Sequence, residues 1–128
     1  MAALTTSTHE TAYANAWLAN GVTVVLFSGS GADDTTIAAA ASGKQHWIIG
    51  GRISADQADK LDIYSGSSAA GTLLDQVQFV ARGTLPLPAG VHTEAGEALV
   101  FDAGGTATFT GWVAYVTLSQ GQYCPLIG

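Results

Sequence analysis

From Val22 onward the chain alternates short apolar runs with clusters of turn residues, and the runs have strand rather than helix character. Val22 to Phe27 is β-branched and aromatic and reads as a strand. Thr35 to Ala40 carries alanines that favour helix by propensity, but six residues between Gly-rich loops fit a strand better. His46 to Ile53 is a strong strand whose Gly50-Gly51 pair predicts a bulge or a close backbone approach. Ser54 to Asp59 is a polar connection with room for one helical turn. Lys60 to Tyr64 alternates as a half-buried strand should. Leu73 to Ala81 puts Val77 and Phe79 on one face and Gln76 and Gln78 on the other. Thr84 to Gly90 contains Pro86 and Pro88, which lack ladder donors, so it is no central strand. Val91 to Gly96 is an irregular or short edge segment. Glu97 to Asp102 is a strand, and Thr106 to Leu118 is the longest run. In that run Thr108, Thr110, Trp112, Ala114, Val116 and Leu118 share one face, and Phe109, Val113 and Tyr115 share the other. Apolar groups on both faces predict a central or interfacial strand.

The ends read differently. Ser7-Thr8-His9-Glu10 has the form of a helix capping box, Tyr13 and Trp17 are four apart, and Gly21 is placed to end a helix. Frequent Thr and short length favour an extended arm almost equally. Either way Tyr13, Trp17 and Leu18 need an apolar surface to cover them. The tail after Gly121 ends in Pro125, Leu126 and Ile127, a second apolar segment for a partner to cover. This divides the chain into residues 1–21 (N-terminal arm or short helix), 22–118 (a single β domain) and 119–128 (tail). Seven or eight strands without a convincing internal helix predict an all-β sandwich or barrel, and eight strands in two facing sheets make a jelly roll.

Composition narrows the function. Only 11% of residues are charged, against about a quarter in typical domains, too few to coat a monomer's surface. Uncharged polar residues or protein contacts in an assembly must cover the remainder. The formal net charge of −6 disfavours nucleic acid and anionic membranes. No apolar run is long enough to span a bilayer. MAALTTSTHE lacks the basic and apolar stretches of a signal peptide, which predicts synthesis in a cytoplasm. Cys124 is the sole cysteine, so an intramolecular disulfide is impossible, and a thiol without chemistry is the expectation.

Motifs with chemical potential are sparse. Gly29 to Asp34 resembles a phosphate loop only superficially, since it lacks the Walker lysine and a strand follows. Asp33 and Asp34 supply two carboxylates where calcium needs six or more ligands. His9, His46 and His92 are scattered, so a zinc site would have to be assembled from distant segments. No nucleophile elbow or His-Glu-x-x-His motif occurs. Glu94 and Glu97 form a glycosidase pair only if a cleft separates them suitably. The expectation is therefore no enzyme, no metal and no cofactor. Trp17, Trp47 and Trp112, with Tyr64 and Tyr115, have three roles open to them: core packing, interface anchors, or platforms for sugar rings.

The stretch Gly31 to Leu118 resembles the small jelly-roll virion proteins of tailed bacteriophages, which include head-decoration, cement and fibre components. The resemblance is carried by Thr36 to Ala39 before Gly43-Lys44, Trp47 to Ile49, Ile53 to Ala55, Leu61 to Ile63 with its Ser65-Gly66 turn, Leu74 to Val80, Leu85 to Val91, Glu94 to Leu99 and Gly111 to Tyr115. It is one of pattern, and it leaves out the first thirty residues and the tail. It implies a jelly roll of about eight strands, a homotrimer, and attachment to the phage major capsid protein. A capsid decoration or cement protein of this kind would stabilise the head by bridging capsid subunits, at the virion surface. Tyr13, Trp17, Leu18, Trp112, Tyr115, Pro125, Leu126 and Ile127 are the expected docking or oligomer-interface residues. The alternative is a carbohydrate- or receptor-binding module of a phage fibre or tail.

Overall fold

A computed structural model describes residues 3–11, 22–30 and 33–122. Nine strands follow one another: β1 (Thr5–Thr11), β2 (Val22–Gly29), β3 (Asp34–Ala38), β4 (Lys44–Ala55), β5 (Asp59–Ser65), β6 (Thr72–Phe79), β7 (Gly83–Pro86), β8 (Leu99–Ala103) and β9 (Phe109–Ser119). They form a five-stranded sheet in the order β1-β2-β9-β4-β7 and a four-stranded sheet in the order β3-β8-β5-β6. All the pairings are antiparallel. The protein is an all-β two-sheet sandwich.

The period-two alternation of side chains explains why the sheets face one another. Val25 and Phe27 of β2, Ile48 and Ile53 of β4, and Phe109 and Val113 of β9 point inward from one sheet. Leu61 and Ile63 of β5, Leu99 and Phe101 of β8, and Phe79 of β6 point inward from the other. Phe27 and Phe101 meet edge to face across the sandwich, with ring centroids 5.6 Å apart, a geometry that ring quadrupoles favour. Leu4 is buried in the same core, and its N–H donates to Thr35 Oγ1 at 3.0 Å, tying the chain's start to the opposite sheet.

Several expectations match this architecture. β9 lies between β2 and β4, as its two apolar faces require. β7, ending at Pro86, is an edge strand. β4 shifts register between Ile48 and Gly50, at the expected glycine pair. The irregular segment after β7 runs beside β4, with Val91 and Thr93 bonded to its backbone and an isolated bridge joining Trp47 and His92.

Others need correction. Ser7 to Glu10 caps no helix but lies within β1, whose seven residues pair in continuous register with β2. The free edge of β2 offers a full ladder of backbone partners, which a polar, Thr-rich segment takes in place of its own cap. The sandwich therefore begins at β1 rather than at Val22. The connection from β4 to β5 is a bend without a helical turn. β5 is more deeply buried than alternation suggests, since Asp62 is enclosed as well as Leu61 and Ile63. Tyr13, Trp17, Leu18, Gly21, Cys124, Pro125, Leu126 and Ile127 lie outside the described residues.

Candidate binding face on the five-stranded sheet

The outward face of the five-stranded sheet is split between two surfaces. Toward one end, Val22 of β2 and Ala114, Val116 and Leu118 of β9 form a second buried cluster, with Val24, Trp47 and Ile49 half-buried against it. His92 stacks on Trp47 there, with ring centroids 4.2 Å apart. Toward the other end the face is open and polar. Cross-strand register sets Ser7, Leu26, Trp112, Arg52 and Pro86 in one row across all five strands. The next row is Thr5, Ser28, Thr110, Ser54 and Thr84. The first row holds an exposed apolar pair, Leu26 at 44% and Trp112 at 42% exposure. The second row consists of hydroxyls.

Two glycines let β9 and β4 approach closely enough to hold this arrangement. A Cβ on Gly111 would strike the Arg52 carbonyl and come within 2.9 Å of Phe27 Cζ in the core. Gly51, at φ +153°, leaves no room either, since a Cβ would meet the Trp112 carbonyl at 2.5 Å and Leu87 Cδ1 at 2.7 Å. Trp112 and Arg52 are thus displayed from backbone fixed by the core beneath.

Thr110 forms the rim of two shallow depressions. One runs toward β1 and is lined by Thr5, Ser7, Leu26 and Ser28. The other, of about 400 Å³, runs toward β7 and is lined by Ser54, Asp56, Arg82, Thr84 and Thr108. Ser54 Oγ and Thr84 Oγ1 share a hydrogen bond at 2.7 Å across β4 and β7. Asp56 is held by the Thr108 N–H, which donates to its Oδ1 at 2.9 Å. This surface presents an apolar ring flanked by hydroxyls, guanidinium groups and the Asp56 carboxylate, a set able to stack on a ligand and hydrogen-bond it.

The remaining candidates take structural positions. Tyr115 is on the opposite face of β9 from Trp112, half-buried against the main core and edge-on to His46 at 5.6 Å. Of the eight expected docking residues, then, the two that are described do not share a face. His46 is buried, and its Nε2–H donates to the Ala39 carbonyl at 2.8 Å, leaving Nδ1 to accept from the Thr117 hydroxyl at 2.8 Å. Burial lowers its pKa below the ordinary histidine value, partly offset by the Ala39 carbonyl. Asp34 accepts a hydrogen bond from the Ser68 N–H at 2.9 Å, fixing the loop between β5 and β6. No group of three or more His, Cys, Asp or Glu side chains is arranged to hold a metal among the described residues. Glu94 and Glu97 lie in the loop before β8, where the Glu97 N–H donates to the Glu94 carbonyl, away from both depressions.

Sequence reading singled out Trp112 but missed Arg52 beside it and Arg82 in the neighbouring depression. Their chain separation hides a proximity that only the pairing of β4 with β9 and β7 creates.

No family model matches the chain, and no curated protein matches it. Solved structures similar to it include two carbohydrate-binding modules by their descriptions. One is described as "CBM4 structure and function", at 16% identity and a TM-score of 0.39, covering 77% of this chain and 72% of that one. The other is "BiXyn10A CBM1 APO", at 12% identity and a TM-score of 0.39, covering 77% of this chain and 74% of that one. Similarity at this level assigns no ligand to the chain.

Proposed function

We propose that this protein is a non-enzymatic glycan-binding module, and that the open half of the five-stranded sheet's outer face is its binding surface. The observation that carries this reading is Trp112, an indole exposed at the centre of a rigid sheet and bordered by Leu26, Arg52 and a row of hydroxyls. The apolar C–H face of a sugar ring stacks on such an indole, while Ser, Thr and Arg side chains hydrogen-bond its hydroxyls at the rim. Electrophoresis in native gels containing soluble polysaccharides tests it. Retardation of the wild type by at least one polysaccharide, lost in Trp112→Ala with unchanged far-UV circular dichroism, is expected. Unretarded migration in every polysaccharide overturns it.

A second reading places the module in a phage virion, as a trimeric jelly roll on the capsid or tail surface. The strand order supports the jelly roll, because β2 to β9 divide into β2-β9-β4-β7 and β3-β8-β5-β6, eight strands in two facing sheets. The low charge content and the exposed Leu26 and Trp112 favour contact with other chains. In this reading Tyr13, Trp17 and Leu18, with Pro125, Leu126 and Ile127, dock on the major capsid protein and reinforce the shell by mass action. Light scattering separates the two readings. A mass near three times 13.0 kDa that falls to a monomer in Trp112→Ala makes this face a subunit interface. A mass unchanged by that substitution leaves the face to a ligand. Removing residues 1–20 would also remove β1, so docking by the arm is tested with Tyr13→Ala and Trp17→Ala in capsid co-sedimentation.

A further inference from the structure

We infer that the glycan bound at this face is anionic, a polysaccharide bearing uronic-acid carboxylates that Arg52 and Arg82 receive. The inference rests on the glycan-binding reading and adds a substrate class to it. The chain has four Lys and Arg residues against ten Asp and Glu, and both of its arginines belong to this face. Arg52 stands beside Trp112 in the central row, and Arg82 lines the depression that contains Ser54, Thr84 and Thr110. Both are exposed.

Neither guanidinium has a hydrogen bond or an ion pair among the described residues, whereas Lys60 pairs with Asp62 at 3.5 Å and Lys44 donates to Ser119 Oγ at 3.2 Å. Most of the described acidic residues placed by strand register or loop lie elsewhere. Asp34, Asp62 and Asp102 occupy the outer face of the other sheet. Glu94 and Glu97 are near Lys44, at the start of β4, while the depression lies at its end. Asp56 is the one carboxylate in the lining, and the Thr108 N–H already engages one of its oxygens.

Geometry favours a carboxylate. A guanidinium presents a planar fork that matches a carboxylate with two parallel hydrogen bonds, and it is more weakly hydrated than an ammonium. Arg82 precedes Gly83, which pairs with Ala55, so Arg82 stands four residues, about 13 Å, beyond Arg52 along β4. That spread places them on different sugars of one chain, with Trp112 stacking between or beside them. In a molecule of net charge −6, the pair also provides a local attractive patch where the average field repels anions.

The test is calorimetric titration of the full chain with oligogalacturonate and, separately, with a neutral xylo-oligosaccharide of equal length, at low salt and at about 0.5 M NaCl. Oligogalacturonate is expected to bind at least about tenfold more tightly than the neutral oligomer, as charge-assisted hydrogen bonds imply. Arg52→Gln and Arg82→Gln should each reduce that preference, and salt should weaken only the anionic ligand's binding. Equal affinity for the neutral oligomer, unaffected by either arginine substitution but abolished by Trp112→Ala, overturns the anionic inference and leaves the glycan-binding reading standing. Binding of a sulfated glycan with none of the uronate also overturns it. Absence of binding to any oligosaccharide overturns both.

Discussion

The two sheets of this sandwich share one core but turn opposite chemistry outward. The five-stranded sheet shows an apolar pair, a row of hydroxyls and both arginines. The four-stranded sheet shows an acidic row, in which cross-strand register sets Asp34, Asp102 and Asp62 on adjacent strands and ends at Gln76. Lys60 offsets Asp62, and Gln76 Nε2 donates to Asp62 Oδ1 at 2.6 Å. Asp102 lies between the other two carboxylates. Its pKa is raised above the ordinary value by partial burial first, then by Asp34 and Asp62, with Lys60 opposing. The difference shows what strand alternation leaves free. Inward positions must be apolar for the sheets to pack, but outward positions are constrained only by solubility and use. One outward face here keeps its charges among themselves, and the other holds two guanidinium groups that have no ion pair among the described residues.

The comparison can be broken at its shared support. Phe101→Ala removes the ring that meets Phe27 between the sheets and should cost about 3–5 kcal/mol, read as a lower denaturation midpoint in urea. Both outer faces should be lost together in that variant. A loss confined to one sheet would show that the faces do not depend on a common core. Gly111→Ala should cost about 1–3 kcal/mol, because the added methyl is driven against the Arg52 carbonyl and Phe27.

Substitutions on the faces sharpen the contrast. Trp112→Ala should cost about 1–3 kcal/mol, since more than half of the indole is covered, while abolishing retardation by polysaccharide. Asp102→Asn should do the reverse, raising the melting temperature at neutral pH and leaving binding intact. The sign follows from linkage. A carboxyl whose folded pKa is raised destabilises the fold above that pKa, and the penalty is relieved as pH falls through it toward the ordinary aspartate value. His46 acts oppositely on acidification. Its folded pKa is lowered, so its neutral form is favoured, and stability is lost as pH falls below about 6.5. Melting temperatures measured across this range in His46→Gln should lack that decline.

Much of the fold was legible in the chain because its signals are local. β-branched runs between Gly-rich turns marked most strands, Pro86 marked an edge, and the two apolar faces of the segment ending at Leu118 marked a centre. β1 was ambiguous because TTSTHET meets both the formula for a cap and the requirements of a polar edge strand. The free edge of β2, which decides between them, is a tertiary fact. The candidate face was only half legible. Trp112 stood out by residue type, but its company did not, because Leu26, Arg52 and Pro86 reach it only through strand pairing. Tyr115 was legible by alternation, which puts it on the opposite face of β9 from Trp112, against the core. The burial of Asp62 gave no sign in an alternating segment.

The most direct test is to titrate an oligosaccharide retarding the wild type into isotopically labelled protein and follow its amide and indole resonances. Perturbation centred on the Trp112 indole and on the amides of Leu26, Arg52, Ser54 and Thr110 is expected, with the row of Asp34, Asp102 and Asp62 undisturbed. Shifts centred on the acidic row, or an unperturbed Trp112 at saturating ligand, would contradict the assignment of the binding face.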